Sequence, residues 1–237
     1  MHSIRNHIAK AMEKLETEDF QLEELHIAGE KCAALRVPQI VITAAGETDQ
    51  KERIADALLT ARAGQDIVYA GWAGLEGMLR IIGEKEAELR ERFTPAFIGQ
   101  MKAYDSELCG LSKIAVADAM GVSVIRQVSR GGILASLWDL AKDTELGLNL
   151  DLKKIAVRQE TIEVCEHFRL NPYQLASGGS FLMLTENGEA LADALNQKGI
   201  QAAVIGQLTD SNDKIIHNGE DMRYIDRPAP DELMKVF

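Results

Sequence analysis

Apolar residues recur every three or four positions at the start of the chain, a spacing typical of an amphipathic helix. The residues of this stripe are Ile4, Ile8, Ala11, Met12 and Leu15. The stretch 22–37 then indicates a short strand pair broken at Gly29, and the β-branched run 39–47 predicts another strand. The first 50 residues therefore predict one helix followed by short strands.

From Ala63 onward, runs with the period of a strand alternate with runs with the period of a helix. Strands are predicted within the stretches 63–74, 122–128, 146–157, 180–185, 200–210 and 213–219. Helices are predicted within 75–93, 94–108, 109–121, 133–144, 158–170 and 187–199. The proline-rich tail, 227–237, is expected to run over the surface. This order predicts an α/β or α+β protein with a mixed or mainly antiparallel sheet and helices packed on one face.

Composition narrows the class of protein. The chain has 237 residues, of which 46% are hydrophobic, and a formal net charge of −11. This size allows one large domain or somewhat more, and the negative charge disfavours nucleic-acid partners. The polar N-terminus does not look like a secretory signal, and no apolar run approaches the roughly 18–20 residues of a membrane span. We therefore expect a soluble, cytoplasmic protein with no membrane partner.

The cysteines and histidines give no sign of a metal site. Cys32, Cys109 and Cys165 are widely spaced, and no pair forms a C-x-x-C motif. An odd, small number of cysteines is typical of reduced thiols in a cytosolic protein. We expect buried structural thiols and no bound metal.

The segment Ser129-Arg130-Gly131-Gly132 directly precedes a helix-patterned run. Amides at a helix N-terminus attract anions, glycines allow close approach, and an arginine adds a charge-assisted contact. The same residues also suit an ordinary strand-to-helix turn. The local pattern alone favours the turn, because glycine pairs are common turn residues.

Two other glycine-rich segments raise the same alternatives. Ser177, Gly178 and Gly179 precede a buried strand, where a small-residue loop can receive a ligand or simply turn the chain. Glu76 and Gly77 lie between a strand and a helix, and Glu76 suits either acid–base or metal chemistry or, more simply, a carboxylate at a helix N-terminus. The chain has no G-x-x-x-x-G-K-[ST] or G-x-G-x-x-G motif, and no arrangement typical of a catalytic triad stands out. No catalytic residue is therefore assigned.

Taken together, separated motifs of the chain resemble a known family. The stretches 124–141, 155–184 and 202–209, with 63–77 before them, occur in the order found in the C-terminal domain of the aminoimidazole ribonucleotide (AIR) synthase-related, or PurM-like, superfamily. The closest resemblance is to its hydrogenase-maturation branch, the HypE-like proteins. The resemblance implies an α+β fold, with residues 63–237 as the C-terminal domain and residues 1–62 as a truncated remnant of the N-terminal domain.

The resemblance also implies chemistry that this sequence only partly keeps. Members of the family are ATP-dependent and usually dimeric, and in the HypE branch ATP dehydrates a carboxamide on a C-terminal cysteine. Here the stretch with the family's metal-binding aspartates is missing, and the chain ends "DELMKVF". The loop His-Asp-Pro-Thr-Arg-Gly-Gly corresponds to residues 126–132, which keep only Arg-Gly-Gly, and Asn-Glu-Gly corresponds to Ser177-Gly178-Gly179. ATP is the one cofactor that the resemblance implies, and these departures count against it.

We therefore expect a HypE-like protein without carbamoyl dehydratase activity. Arg130, Gly131 and Gly132, with Ser129, would hold the phosphate of a small molecule, and Ser177, Gly178 and Gly179 would form the opposite wall. One alternative is an ATP-dependent enzyme completed by a homodimer or by a separate N-terminal partner. Another is a scaffolding or regulatory module that binds a hydrogenase-maturation protein and takes no small ligand.

Overall fold

The structure is a computed structural model that describes residues 58–122 and 124–237. The helix and strands predicted before residue 50 and Cys32 lie outside these residues. The proposed division into residues 1–62 and 63–237 consequently stays a prediction. Within the described part of the chain, no helix combines the length and the apolar character that a bilayer crossing requires.

Seven strands of the described chain form one sheet. They are β1 (Asp66–Ala70), β2 (Val124–Gln127), β3 (Gly147–Asp151), β4 (Phe181–Thr185), β5 (Ala202–Thr209), β6 (Lys214–Asn218) and β7 (Asp221–Tyr224). Their order across the sheet is β2-β4-β1-β5-β3-β6-β7. The pairing of β3 with β6 is parallel and the other pairings are antiparallel, so the predicted mixed sheet is confirmed.

The helices follow the predicted order closely. They are α1 (Leu75–Leu89), α2 (Pro95–Ala103), α3 (Leu111–Ala119), α4 (Gly132–Thr144), α5 (Gln159–Phe168) and α6 (Gly188–Gln197). The start of α2 shows why the sequence was informative: the Oγ1 of Thr94 accepts the N–H of Phe97 at 3.3 Å, and Pro95 takes the first helical position. The α+β class is confirmed.

Helices cover both faces of the sheet, so the expectation of helices on one face is wrong. Ile67 and Tyr69 of β1 lie in a core cluster with Leu137 of α4, whereas Val68 and Ala70 lie in a second cluster with Leu191 of α6. Successive strand residues point to opposite faces, so an uninterrupted apolar run belongs to a strand that is covered twice. Residues Ile67–Ala70 form such an uninterrupted apolar run.

A third core cluster lies outside the sheet. It joins α1, α2 and α5 through side chains that include Met78, Met101 and Val164, and Leu233 from the C-terminal tail belongs to it. The tail therefore does not simply run over the surface, since Glu232 and Leu233 are buried. Strand β7 was also missed, because all four of its residues are exposed and carry no alternating apolar pattern.

Candidate functional site

The loop after β1 is joined to the loop before β4 through a buried serine. The Oγ of Ser177 accepts the N–H of Gly74 at 2.7 Å and donates to the carbonyl of Leu175 at 2.8 Å. Ser177 is fully buried, so its hydroxyl is engaged by the backbone and holds the two loops in register. Ser177, predicted as a wall residue, thus fixes the shape of the loop through its hydroxyl.

A second hydroxyl pair continues this connection into the sheet. The Oγ of Ser180 donates to the carbonyl of Ser177 at 2.6 Å and accepts the O–H of Tyr69 at 3.1 Å. Burial raises the pKa of the Tyr69 phenol well above its usual range, and the bond to Ser180 offsets this only in part. Gly71 is required beside it, because a Cβ there would lie 2.5 Å from the Cβ of Ser180. Buried hydroxyls and backbone groups therefore connect the loop before β4 to strand β1.

Glu76 connects helix α1 to the second glycine-rich loop, residues 177–179 before β4. Its Oε2 accepts the N–H of Gly178 at 2.8 Å, and its Oε1 pairs with the guanidinium of Arg80 at 2.6 Å. A Cβ on Gly178 would lie 2.6 Å from the same Oε2. The carboxylate thus occupies the space that a side chain at position 178 would need.

The two halves of the Ser129–Gly132 loop differ in how deeply they are buried. Ser129 and Arg130 are exposed, whereas Gly131 and Gly132 are buried. Both glycines have positive φ, and a Cβ on Gly132 would lie 2.4 Å from the carbonyl oxygen of Tyr173. Only glycine fits this close approach of two backbones without displacement. The loop therefore presents its polar half outward and packs its glycines against residues 173–175.

The amides predicted to clamp a phosphate already have partners within the chain. The N–H of Gly131 donates to the Oδ2 of Asp231 at 2.7 Å, and the N–H of Gly132 donates to the carbonyl of Ser129 at 3.2 Å. Both amides are therefore engaged within the chain in this structure. Sequence could not show it, because Asp231 lies a hundred residues further along the chain.

The exposed half of this loop and the second loop meet in a cleft of about 400 Å³. The residues that line it are Glu76, Arg80, Leu108, Gln127, Ser129, Arg130 and Gly178. Four of these were predicted as site residues, while Arg80, Leu108 and Gln127 were not. The sequence could have indicated two of these three residues. Arg80 follows Glu76 at the i,i+4 spacing of a helix pair, and Gln127 lies two residues before Ser129. Nothing in the sequence pointed to Leu108.

Four predicted residues lie behind this surface: Gly77, Gly132, Ser177 and Gly179. A Cβ on Gly77 would lie 2.3 Å from the Cγ of Leu175, and one on Gly179 would lie 2.4 Å from the carbonyl oxygen of Leu108. These glycines let helix α1, the second loop and residue 108 pack closely. Their contribution to the cleft is its shape.

The charges in the cleft do not cancel. Arg80 is paired with Glu76, whereas Arg130 forms no ion pair or hydrogen bond within the part of the chain that the structure describes. Two guanidinium groups therefore face one carboxylate, in a chain whose net charge is −11. A local excess of positive charge beside the Ser129 hydroxyl and the Gln127 amide side chain suits an anionic group.

A polar cluster around Arg158 and Glu160 positions the side of the cleft to which Leu108 belongs. The guanidinium of Arg158 lies between the rings of Trp72 and Tyr104, 4.2 Å and 3.8 Å from their centroids, and pairs with Glu107. Glu160 accepts hydrogen bonds from Tyr104 and from Gln100, each at 2.7 Å. Stacking of an arginine between two aromatic rings fixes its plane. This cluster holds residues 104–108 against the loop after β1.

The described residues offer no set of metal ligands, since no three of their His, Cys, Asp and Glu side chains are grouped in a way that could hold an ion. Cys165 is buried, and burial raises the pKa of its thiol to about 12, with the nearby Glu232 carboxylate adding to the effect. Cys109 is partly exposed. Cys165 is therefore a structural thiol.

Two curated relatives share part of this sequence. A protein of Methanocaldococcus jannaschii named for hydrogenase expression and formation is 22% identical over 236 residues, which are 97% of this chain and 68% of that protein. The carbamoyl dehydratase HypE of Rhizobium leguminosarum is 26% identical over 153 residues, which are 62% of this chain and 41% of that protein. The chain thus matches less than half the length of this dehydratase.

Solved structures and sequence families place the fold. A chain in the crystal structure of a HypE–HypF complex superposes with a TM-score of 0.55 at 22% identity, covering 72% of this chain and 55% of that one. Residues 62–218 match the family described as AIR synthase related protein, C-terminal domain. Since this match spans more than half of the sequence, the chain belongs to the AIR synthase-related family through its C-terminal domain.

Proposed function

We propose that this protein is a HypE-like member of the family that binds the phosphate of a small molecule in the cleft between Arg130 and Gly178, and that it lacks carbamoyl dehydratase activity. The observation that carries the proposal is the convergence of two separate loops on a cleft where Arg130 has no carboxylate partner among the described residues. A guanidinium group in such a position can bind a phosphate through two hydrogen bonds.

The surroundings of Arg130 support a phosphate over a neutral ligand. Ser129 supplies a hydroxyl and Gln127 a side-chain amide to the lining of the same cleft. Glu76 also lines the cleft, but its two oxygens are engaged by Arg80 and by the amide of Gly178. The carboxylate is thereby neutralised, so it repels an incoming anion less than a free one would.

The absence of dehydratase activity is supported by substitutions at the family's loop positions. The position of the family's loop histidine carries Arg126, which pairs with Asp143 of α4 at 2.6 Å. The position of its glutamate in the second loop carries Gly178. Phosphoryl transfer depends on groups that neutralise and orient the phosphates, and replacing them removes much of that stabilisation.

Calorimetric titration with ADP, ATP and inorganic phosphate tests the binding. Arg130→Ala should weaken the binding of each by about tenfold or more, as expected for loss of a charge-assisted hydrogen bond. Arg126→Ala is the matched control, because it removes the same charge four residues earlier on a side chain that does not line the cleft. Equal affinities for the protein and Arg130→Ala, or no heat with any of the three, would contradict the proposal.

A second candidate is an ATP-dependent enzyme completed by another chain, either a second copy or a hydrogenase-maturation protein. It is favoured by one observation: a chain of similar fold is found in the crystal structure of a HypE–HypF complex. Light scattering would give the oligomeric state. ATP hydrolysis measured with and without a HypF-type partner would then separate this candidate from a binding module, which predicts no turnover in either case.

A further inference from the structure

Strand β7 forms one end of the sheet, and no other strand of the described chain pairs with its outer side. All four of its residues are exposed. Met222 and Tyr224 are among the large apolar residues that the fold leaves at the surface, with exposed fractions of 58% and 59%. The match to the family's C-terminal domain ends at residue 218, directly before this strand. The outer side of β7 is therefore an open sheet edge that lies beyond the matched domain.

The pairing of β7 with β6 shows which backbone groups this edge offers. The two strands are antiparallel, and the N–H of Ile225, directly after β7, donates to the carbonyl of Lys214 at 2.8 Å. Hydrogen-bonded and non-hydrogen-bonded pairs alternate along an antiparallel ladder, so every second residue of β7 directs its backbone groups at β6. Met222 and Tyr224 are the residues between, and they direct their N–H and C=O groups outward. A strand placed beside β7 would find these groups ready to pair.

The two charged residues of β7 have opposite signs. Asp221 and Arg223 lie two positions apart, so they project from the same face of the sheet. Neither side chain forms an ion pair or a hydrogen bond within the part of the chain that the structure describes. Natural sheet edges are often protected by lysines, which repel a second identical strand. Here the two charges cancel, so β7 is a neutral edge on a chain whose net charge is −11.

Antiparallel pairing of β7 with the same strand of a second copy matches these charges. In a continuous sheet, residues opposite one another must project from the same face, and outward backbone groups must meet outward backbone groups. A two-fold axis at Met222 satisfies both conditions, and it places Asp221 opposite Arg223 of the second copy twice. Both are non-hydrogen-bonded pairs, whose Cα atoms approach to about 4.5 Å. Opposite charges at this spacing stabilise the pairing of the strands.

The next register that meets the same conditions is disfavoured by charge. It moves the axis to Arg223, which then lies opposite the same arginine of the second copy. Like charges directly opposite one another are destabilising, and Asp221 loses its partner in this register. The charges of β7 therefore select the axis at Met222.

We propose that the outer edge of β7 is a self-association surface, on which a second copy of this chain pairs antiparallel about Met222 and forms two ion pairs between Asp221 and Arg223. One sheet then runs through both copies. On its other face, Met222 meets its counterpart and covers apolar surface that the single chain exposes. A contact made by one short strand is small, so the dimer should be weak, with a Kd on the order of tens of micromolar. This inference is independent of the proposed phosphate binding.

Sedimentation velocity of the full chain over a series of concentrations tests the pairing. The parent should form dimers. Asp221→Arg and Arg223→Asp should each raise the dissociation constant about tenfold or more, because each variant turns both ion pairs into like-charge pairs. Asp193→Arg is the matched control: it makes the same change of charge at an exposed position of α6, and its dissociation constant should stay within about twofold of the parent value.

An equimolar mixture of Asp221→Arg and Arg223→Asp is the decisive sample. One copy then carries two arginines on β7 and the other carries two aspartates, so both cross-strand pairs are attractive again. Dimers should return with a dissociation constant within about threefold of the parent value. A defect of folding in either variant cannot produce this recovery. A mixture that stays monomeric overturns the inference, as does a parent that is monomeric at about 500 μM or a dimer that Asp221→Arg leaves intact.

Met222→Pro tests the backbone part of the pairing. Proline removes an N–H that points away from β6, so the hairpin keeps its own bonds while the two copies lose both hydrogen bonds at the axis. The dimer should be lost with little change in the urea midpoint of unfolding, and an unchanged dissociation constant would contradict the inference. Hydrogen exchange at the Met222 amide should slow as dimers form. Protection that does not depend on protein concentration would place another segment of the same chain on the edge and would overturn the inference as well.

Discussion

The carboxylate of Glu76 lies where a side chain at position 178 would have to be, with its Oε2 hydrogen-bonded at 2.8 Å to the Gly178 amide. The two residues are 102 positions apart in sequence. Glycine in the second loop and glutamate at the start of α1 are therefore linked features. Together they close one wall of the cleft.

Gly178→Ala should displace the Glu76 carboxylate and lower the free energy of unfolding by about 1 kcal/mol, since the carboxylate is at the end of a flexible side chain and can move aside. Urea denaturation measures the change. Gly83→Ala is the control: it lies in α1 with open space around it, and should stabilise by roughly 0.5–1 kcal/mol. If Gly178→Ala has the same effect in a Glu76→Ala background, the two residues are not coupled.

Gly132→Ala should be much more harmful. The new Cβ would lie 2.4 Å from the backbone oxygen of Tyr173, and φ is 66°. Backbone atoms cannot rotate aside, so we expect a loss of about 3 kcal/mol or more in denaturant unfolding. Gly64→Ala has a comparable φ of 92° with nothing within 4 Å, and should show the conformational cost alone, about 1 kcal/mol. Equal losses in the two variants would mean that the loops do not pack as described.

Arg158→Lys should destabilise the protein although the charge is kept. Lysine lacks the planar group that lies between Trp72 and Tyr104, so we expect a loss of roughly 1–2 kcal/mol by thermal or urea unfolding. Arg62→Lys is the matched control, because Arg62 pairs with Glu186 at the surface and should show no measurable change. If Arg158→Lys leaves the free energy of unfolding unchanged, the stacked arrangement does not stabilise the protein.

Cys165 should resist alkylation by iodoacetamide at pH 8, where Cys109 reacts, as mass spectrometry of the labelled peptides would show. The pKa of Cys165 is raised to about 12 in the folded protein from about 9 in the unfolded chain, so the unfolded chain loses its proton first. The stabilisation is full below pH 9 and is lost as pH rises from 9 through 12. Stability should therefore fall more steeply in this range for the parent than for Cys165→Ala; parallel curves would contradict the assignment.

Local features of the fold were readable from sequence because each has a local physical cause. Thr94 and Pro95 indicated the start of α2. The spacing of apolar residues, which alternates between that of a strand and that of a helix, located six of the seven described strands. Strand β7 was missed because its residues bury no side chain. The covering of both sheet faces was encoded in Ile67–Ala70, but the run was not interpreted as a doubly buried strand.

The site was less predictable because its contacts join distant residues. The loops of Arg130 and Gly178 could each be identified from the sequence. The bond between Ser177 and Gly74 and the bond between Gly131 and Asp231 could not, because each joins residues about a hundred positions apart. Hydrogen-bond partners at such separations depend on how the sheet is assembled. Sequence therefore predicted which loops matter, and the structure decided which of their groups remain available.

A crystal structure of the protein grown with tungstate, whose anomalous scattering marks its position, tests the central claim most directly. The account predicts tungstate in the cleft, within hydrogen-bond distance of the Arg130 guanidinium and facing the Gly178 loop, and its loss in Arg130→Ala. Tungstate that binds elsewhere and leaves the cleft empty, at a concentration that saturates the protein in solution, would contradict it.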